Sequence, residues 1–349
     1  LEVHVGMEGK DLRLLMNNTA KPNTAFAKLL ASSDGQRSSL TETIPENAWV
    51  ATAAVLDVRQ SEDFSRINEM SIRTYTDLLG LDADDMKALD PLIREAATLA
   101  TGDSSLAIYS DGEFPLGMHT VAKVSDVAAF RAVNKKLLTL LVPKIWKRVV
   151  EELKTHGVEL PPSEVTSVAE MVGLAKPFAT PLGVVPKLTS TSTDGVEVDA
   201  LELTFDWKVL TQEMGVDAQD VEGKKILEKV VGEKLVIATA TGSDRYVQAL
   251  GPNAAIRATS LAKGENPKHI VELSELTKDQ NWTVVFRAGA MFEALSFAPD
   301  LASKKAIIDS MSKEQMISVT ARSTQGVLEA GLNIPLEIVA QIISLAAAP

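Results

Sequence analysis

The sequence predicts an α+β protein with two related halves, in each of which a mainly antiparallel sheet packs with helices. Short segments alternate between apolar and polar side chains, and polar turns rich in Gly, Asp and Ser join these segments in pairs. In Val196–Phe205 the apolar residues interleave with acids, which places one strand face in a core and the other in water. A helical segment follows each pair, so the repeated unit is a β-hairpin followed by a helix.

The clearest copy of this unit lies in the first half of the chain. A strand over Ser105–Ser110 leads through the turn Asp111-Gly112 into a second strand over Phe114–Val124. A helix is expected from about Asp126, whose side chain can accept from the free N–H groups of the first helical turn.

Four further copies follow the same order of strand, turn, strand and helix. They are Leu1–Asn17 with the helix Thr24–Ala31, Val184–Phe205 with a helix near Trp207–Met214, Lys234–Leu250 with a helix after Pro252, and Gln315–Ile334 with the helix Pro335–Ala346. The prolines at 252 and 335 suit a first helical turn, where a missing N–H costs nothing.

A longer correspondence indicates an internal duplication. A strand containing Trp49 and a strand containing Trp282 each precede two helical segments, a hairpin and a last helix. In the first half the two helices are expected at Asp63–Leu79 and Asp84–Ala100; in the second, at Ala290–Ala298 and Leu301–Met311. The alternative is that five copies of so common a motif arise by chance. The stretch His156–Pro162 ends the preceding helix, so we expect domains at 1–160 and 161–349.

Composition excludes several classes of function. The chain of 349 residues has a formal net charge of −12, and such a surface repels a phosphate backbone, so we expect no nucleic-acid partner. It has no cysteine, which removes thiol catalysis and cysteine-based metal sites. The lack of cysteine also favours an exported protein, the alternative being that cysteine is absent by chance. No long apolar window is present, so no transmembrane segment is expected.

No motif for catalysis, a cofactor or a metal emerges from the residues that usually carry such chemistry. The histidines (His4, His119, His156 and His269) lack metal-ligand spacing, and each is expected to be a surface or partly buried neutral residue. For the alternative, a catalytic or ligand role, His119 is the best candidate among them. The acids at 82, 84 and 85 resemble the start of a calcium loop but lack its glycine and its closing glutamate. They fit better as caps of the following helix.

Two surfaces are candidates for binding. The Pro/Gly-punctuated stretch Val172–Pro186 is expected to connect into the second half, and the apolar side chains of Met171–Val185 could cover a hydrophobic ligand or dock a partner. The alternative is ordinary core between the domains. The side chains concerned are Met171, Val172, Leu174, Phe178, Leu182 and Val184. Lys144, Lys147 and Arg148 form a basic patch that could face an anion or a membrane surface, or be a solvated helix face.

Three passages carry a resemblance to a known kind of protein. Ile44–Trp49, Phe114–Gly117 running into Lys123–Asp126, and Gly232–Ala238 resemble uncharacterised exported bacterial proteins, often lipoproteins, made of repeated hairpin–helix modules. The resemblance implies a periplasmic or cell-envelope location and no established activity. The sequence contains no cysteine for a lipid anchor.

These observations lead to three functional hypotheses. The first is a non-enzymatic periplasmic or surface protein that acts by binding or assembly, through self-association or a protein partner. The second is a carrier of a hydrophobic ligand such as a lipid, because ligand pockets are largely apolar. The third is an enzyme whose site assembles from scattered residues.

Overall fold

The computed structural model of the chain describes residues 2–56, 81–112, 114–155, 164–213, 226 and 228–347. The helix expected at Asp63–Leu79 and the boundary expected at His156–Pro162 lie outside these residues.

Twelve antiparallel strands form one continuous sheet in the order β1-β2-β12-β11-β10-β3-β4-β5-β9-β8-β7-β6. The strands are β1 (Glu2–Glu8), β2 (Asp11–Thr19), β3 (Ala48–Val55), β4 (Ala100–Asp111), β5 (Phe114–Val124), β6 (Val184–Thr193), β7 (Val196–Phe205), β8 (Lys234–Gly242), β9 (Arg245–Leu250), β10 (Trp282–Phe286), β11 (Ile317–Thr324) and β12 (Val327–Pro335). The described residues also form eleven α-helices.

The helices lie between and after these strands. They are α1 (Ala25–Ser32), α2 (Ala83–Leu99), α3 (Val127–Thr155), α4 (Val168–Ala179), α5 (Trp207–Glu213), α6 (Ala254–Lys263), α7 (Val271–Leu276), α8 (Ala288–Ala294), α9 (Pro299–Ala302), α10 (Lys305–Ser310) and α11 (Leu336–Ala347). The α+β class and the five antiparallel hairpins are confirmed. The Asp126 carboxylate caps α3, accepting from the Ala129 N–H at 2.9 Å.

The two separate sheets expected for two halves are replaced by this single sheet. β3 pairs with β10, with Ala53 opposite Thr283, and β5 pairs with β9, with Val121 opposite Val247. Strands from before and after residue 160 therefore alternate within one hydrogen-bonded ladder. A division into domains near residue 160 stays a prediction.

The apolar stretch after residue 167 is helical, where the sequence indicated an irregular connection. Ser167 caps α4 by accepting from the Glu170 N–H at 3.2 Å. The helix continues through Pro177, whose ring would clash with the turn four residues earlier. Gly173 and Pro177 therefore lie within this helix, which packs on α3 through Met171, Leu174 and Phe178.

One face of the sheet packs against α6 in the largest buried cluster. Val121, Ala238, Ala249 and their neighbours meet Ala258 and Leu261 of the helix. The sheet side chains are mostly alanine and valine, and small residues let a helix approach a sheet closely. This packing fixes the position of α6, which carries Arg257.

Candidate functional site

The edge strand β1 carries three exposed large apolar side chains, more than any other described strand. It pairs with β2 on one side and with no described strand on the other. Val3, Val5 and Met7 share one face and are 53%, 67% and 56% exposed. Their opposite neighbours on β2 are Met16, Leu14 and Leu12, so the apolar stripe continues inward from the edge.

The backbone of β1 is also available for pairing. The two-residue turn at Gly9-Lys10 closes on the pair Glu8–Asp11, and a two-residue hairpin turn closes on a hydrogen-bonded pair. Glu8, Gly6 and His4 therefore bond to β2, and the alternate residues present their N–H and C=O groups outward. No proline or lysine lies within β1, although natural edge strands commonly carry them to prevent pairing.

The opposite edge strand, β6, differs in this respect. It contains Pro186 and Lys187, and its last five residues are Ser and Thr. These residue types disfavour pairing of the edge with another strand, because proline lacks an N–H donor and burying the lysine charge costs free energy. Of the two edges, β1 is the one with both an unprotected backbone and an apolar face.

The apolar surface expected at residues 171–184 packs mainly within the molecule. Met171, Leu174 and Phe178 of α4 contact the cluster formed by Val142, Trp146 and Val165. Val172, Leu182 and Val184 are each partly buried. These contacts give the stretch a packing role between α3 and α4, and its role toward a ligand or partner stays a prediction.

The basic patch of α3 is partly neutralised within the chain. Lys144 lies 2.9 Å from the Asp85 carboxylate of α2, and Lys147 lies 4.0 Å from Glu151. The hydrogen bond from Lys144 lowers the pKa of Asp85, and the same contact raises the pKa of Lys144. Arg148 is exposed. Binding of an anion at this patch stays a prediction.

A cleft of about 770 Å³ opens at one end of the sheet, and several cationic side chains line it. The loop before β3, the β4–β5 turn, α6, the loop after α6 and α8 all contribute to its walls. The charged residues in the lining are Glu46, Lys229, Arg257, Lys268, Arg287, Glu293 and Lys313.

A buried aromatic pair lies behind the cleft. The rings of Tyr109 and His119 are 5.3 Å apart between centroids, and the Arg257 guanidinium lies 5.0 Å from the centroid of the Tyr109 ring. Burial raises the pKa of Tyr109 to about 12. Burial, with the positive charge of Arg257, lowers the pKa of His119 to about 3. Both side chains are therefore neutral at physiological pH.

His119, the best acid–base candidate in the sequence, is fully buried. The Thr43 backbone faces its ring, but neither ring nitrogen makes a hydrogen bond within the described residues. A general base must reach a substrate proton, directly or through one water. The structure gives this histidine no access to the cleft.

A second cavity, of about 670 Å³, has mostly apolar walls. Side chains of α1 form one side, among them Phe26 and Leu29, and small residues of β3, β5 and β11 form the floor beside Trp282. No sequence signal pointed to this cavity, because its walls come from segments far apart in the chain.

Sequence reasoning missed both the edge surface and the cleft. The alternation Val3, Val5, Met7 was visible, but the order of strands that leaves β1 at an edge was not. Arg257 is one basic residue of an amphipathic helix, and nothing in the neighbouring sequence distinguishes it from a basic residue that faces solvent.

Comparison of the chain with protein-family models, with curated proteins and with solved structures gave no match. Among the described residues there is no cluster of three or more His, Asp or Glu side chains that could hold a metal ion. In the same part of the chain, every helix is too short or too polar to cross a membrane.

Proposed function

We propose that this chain is a non-enzymatic binding and assembly protein of the cell envelope, in which the β1 edge of one copy pairs with the β1 edge of a second copy. The observation that carries the proposal is the exposed apolar stripe Val3, Val5 and Met7 on an edge strand with free backbone groups. Such an edge is a template for strand addition, in which backbone hydrogen bonds supply affinity.

The sequence of β1 is complementary to itself in an antiparallel arrangement. When the two strands cross at Gly6, Val5 lies opposite Met7 of the second copy, and His4 lies opposite Glu8. At each end of the paired strands, the first residue of β1, Glu2, comes opposite Lys10 of the hairpin turn in the second copy. Opposite charges and apolar pairs across strands are each favourable by about 0.2–1 kcal/mol. A two-fold arrangement makes each of these pairs twice, as in most homodimers.

An internal duplication, which we propose with this function, supports the need for a partner strand. The segment β1–β5 matches β8–β12 in order, and the β1–β2 and β8–β9 turns each begin with a residue at positive φ, Gly9 at 61° and Ser243 at 51°. In this correspondence β8 is the counterpart of β1. β8 is covered on its outer side by β7, and β1 lacks such a neighbour among the described strands.

The proposed location rests on two features of the sequence. The passages around Trp49, Gly117 and Gly232 resemble exported bacterial proteins, and the chain lacks cysteine. Fractionation of the native host, with the chain detected in the periplasmic or envelope fraction, tests this part. Detection in the cytosol alone would contradict it.

The oligomeric state tests the proposed edge pairing. We expect the wild-type chain to be a dimer by sedimentation equilibrium and Val5→Lys to dissociate about tenfold more readily, because a charge replaces two apolar cross-strand contacts. Ile343→Lys is the matched control, since Ile343 is 61% exposed on α11 and lies outside the edge. A wild-type chain that stays monomeric at its highest soluble concentration would refute the pairing.

A charge exchange tests the register. Glu2→Lys and Lys10→Glu each place like charges opposite one another in the dimer, so each is expected to weaken it by several-fold. The double variant restores two opposite-charge pairs and should recover dimerisation. Recovery would be absent if β1 bound some other strand, because then the two positions would not face each other.

A hydrophobic ligand is a second candidate, and the apolar cavity beside Trp282 favours it. A cavity of about 670 Å³ is within the range of small-molecule pockets. We expect a fatty acid to bind in native mass spectrometry and Ala321→Phe, which fills the floor of the cavity, to reduce its occupancy. Ala302→Phe on the exposed side of α9 is the control. Equal occupancy in both variants would exclude this cavity as the site.

A further inference from the structure

The cleft at the end of the sheet is cationic in a protein that is strongly anionic. Its lining contains the cations Lys229, Arg257, Lys268, Arg287 and Lys313. The carboxylates of the described lining are Glu46 and Glu293. This excess of positive charge contrasts with the net charge of −12 for the whole chain. A cleft with one sign of charge and low-dielectric walls raises the local concentration of ligands of the opposite sign.

Two of these cations have structural roles that shape the cleft. Lys313 forms an ion pair with Glu293. Arg287 donates to the backbone carbonyls of Lys313 at 2.7 Å and Glu46 at 2.6 Å. Because these carbonyls belong to different loops, the guanidinium of Arg287 holds two walls of the cleft at a fixed separation.

Arg257 is held in place without a carboxylate partner among the described residues. Its guanidinium lies over the buried ring of Tyr109 at 5.0 Å from the centroid. The nearby Asp111 carboxylate instead accepts from the Asn253 backbone N–H at 3.1 Å and the Asn253 side-chain amide at 3.0 Å. The guanidinium of Arg257 is thus positioned by Tyr109, through its ring and a hydrogen bond to its hydroxyl, and its remaining donors line the cleft.

From this arrangement we infer that the cleft binds a small molecule through a phosphate-class anionic group, which Arg257 and Lys268 hold. A planar guanidinium matches two oxygens of such a group, and a lysine adds a point charge. Lys268 lies on the loop after α6, is exposed and lines the same cleft.

The size and walls of the cleft fit a small organic ligand. Its volume of about 770 Å³ lies in the range of ligand pockets. Pro115, Pro267 and Phe297 give apolar walls for the body of the molecule. A third cavity, of about 410 Å³, shares Arg257 and Pro267 with the cleft and leaves room for a longer ligand to extend past the guanidinium.

Inorganic phosphate is the first probe, titrated into the purified full chain at low ionic strength and followed by isothermal calorimetry. We expect saturable binding that Arg257→Gln weakens by about ten- to a hundredfold, as for the loss of a hydrogen bond to a charged group. Lys268→Gln should weaken it by a smaller factor, since Lys268 is more exposed. Lys136→Gln, an exposed cation on α3, is the matched control and should leave the affinity unchanged.

The outcomes separate this site from general attraction and from the edge pairing. Equal weakening by Lys136→Gln and Arg257→Gln, or no saturable binding by the wild type, would overturn the proposal. Arg257→Lys retains the charge and so guards against a folding defect. An affinity of this variant for phosphate between those of the wild type and Arg257→Gln supports bidentate recognition by the guanidinium, and an affinity equal to that of the wild type overturns bidentate recognition. Val5→Lys lies far from the cleft in the strand order, so its phosphate affinity should match that of the wild type.

Discussion

At the scale of single residues, burial overrides the chemistry that a residue type suggests. His119 lies on the buried face of β5, against Tyr109, and both of its ring nitrogens lack a partner among the described side chains and backbone groups. The sequence predicted a surface or partly buried neutral side chain here, because nothing in Gly117–Thr120 shows what covers that face. Burial depends on the whole fold, whereas a local sequence pattern indicates only which residues share one face of a strand.

This burial predicts a pH dependence of stability. The folded pKa of His119 is about 3, below the ordinary value of about 6.5 for an unfolded chain. Between these values the unfolded state binds the proton and the folded state does not. Stability is therefore full above pH 6.5 and falls as the pH is lowered, by up to about 1.4 kcal/mol per unit.

Substitution of His119 should flatten this dependence. In urea unfolding, we expect the free energy of unfolding to fall between pH 7 and pH 5 by about 2 kcal/mol less in His119→Leu than in the wild type. His119→Asn keeps a polar group but does not titrate, so it should show the same flattening at lower absolute stability. Parallel pH profiles for all three proteins would show that His119 does not carry the effect.

At the scale of elements, the signals that predicted the fold correctly were local. Hairpin turns, caps and alternation act within a few residues, so the bounds of β6 and β7 and the cap of α3 could be derived from the sequence. The helix α4 was missed because Gly173 and Pro177, each taken alone, predict the end of a helix. Tertiary packing of this helix on α3 outweighs the local preference of each residue type.

The acids before α2 illustrate a choice between two local explanations. Asp82 accepts from the N–H groups of Asp84 and Asp85, both at 2.9 Å, and Asp85 accepts from the Asp82 N–H at 3.1 Å. This reciprocal arrangement is a capping box, which satisfies donors that the helix leaves free. The interpretation as caps is thereby confirmed.

The cap predicts a specific loss of stability. Asp82→Ala should lower the free energy of unfolding by about 1 kcal/mol, the usual effect of losing an N-cap side chain. Asp84→Ala removes the same charge from the same turn but leaves the Asp82 cap in place, so it should cost much less. Equal losses would assign the effect to charge alone, and a gain in stability on adding calcium would favour the ion-binding alternative.

At the scale of the whole molecule, the order of strands combines segments that the sequence keeps apart. The hairpin β1–β2 adds to β12, and the hairpin β8–β9 adds to β5. Each side of the sheet thus joins the first hairpin of one segment to the last strands of the other. The period-two pattern of a strand does not determine which strand pairs with it. The hairpins could be predicted because a short turn joins their strands, and the single sheet could not.

This interleaving predicts how the chain behaves when it is divided. Expressed separately, 1–160 and 161–349 each lose the pairings of β2 with β12, β3 with β10 and β5 with β9. We expect neither fragment to unfold cooperatively alone in urea, because each exposes unpaired apolar edges. The mixture should regain cooperative unfolding. The intact chain, cleaved after folding at a protease site inserted at 160, is the control and should stay associated. Cooperative unfolding of each isolated fragment would instead establish two domains that meet near residue 160.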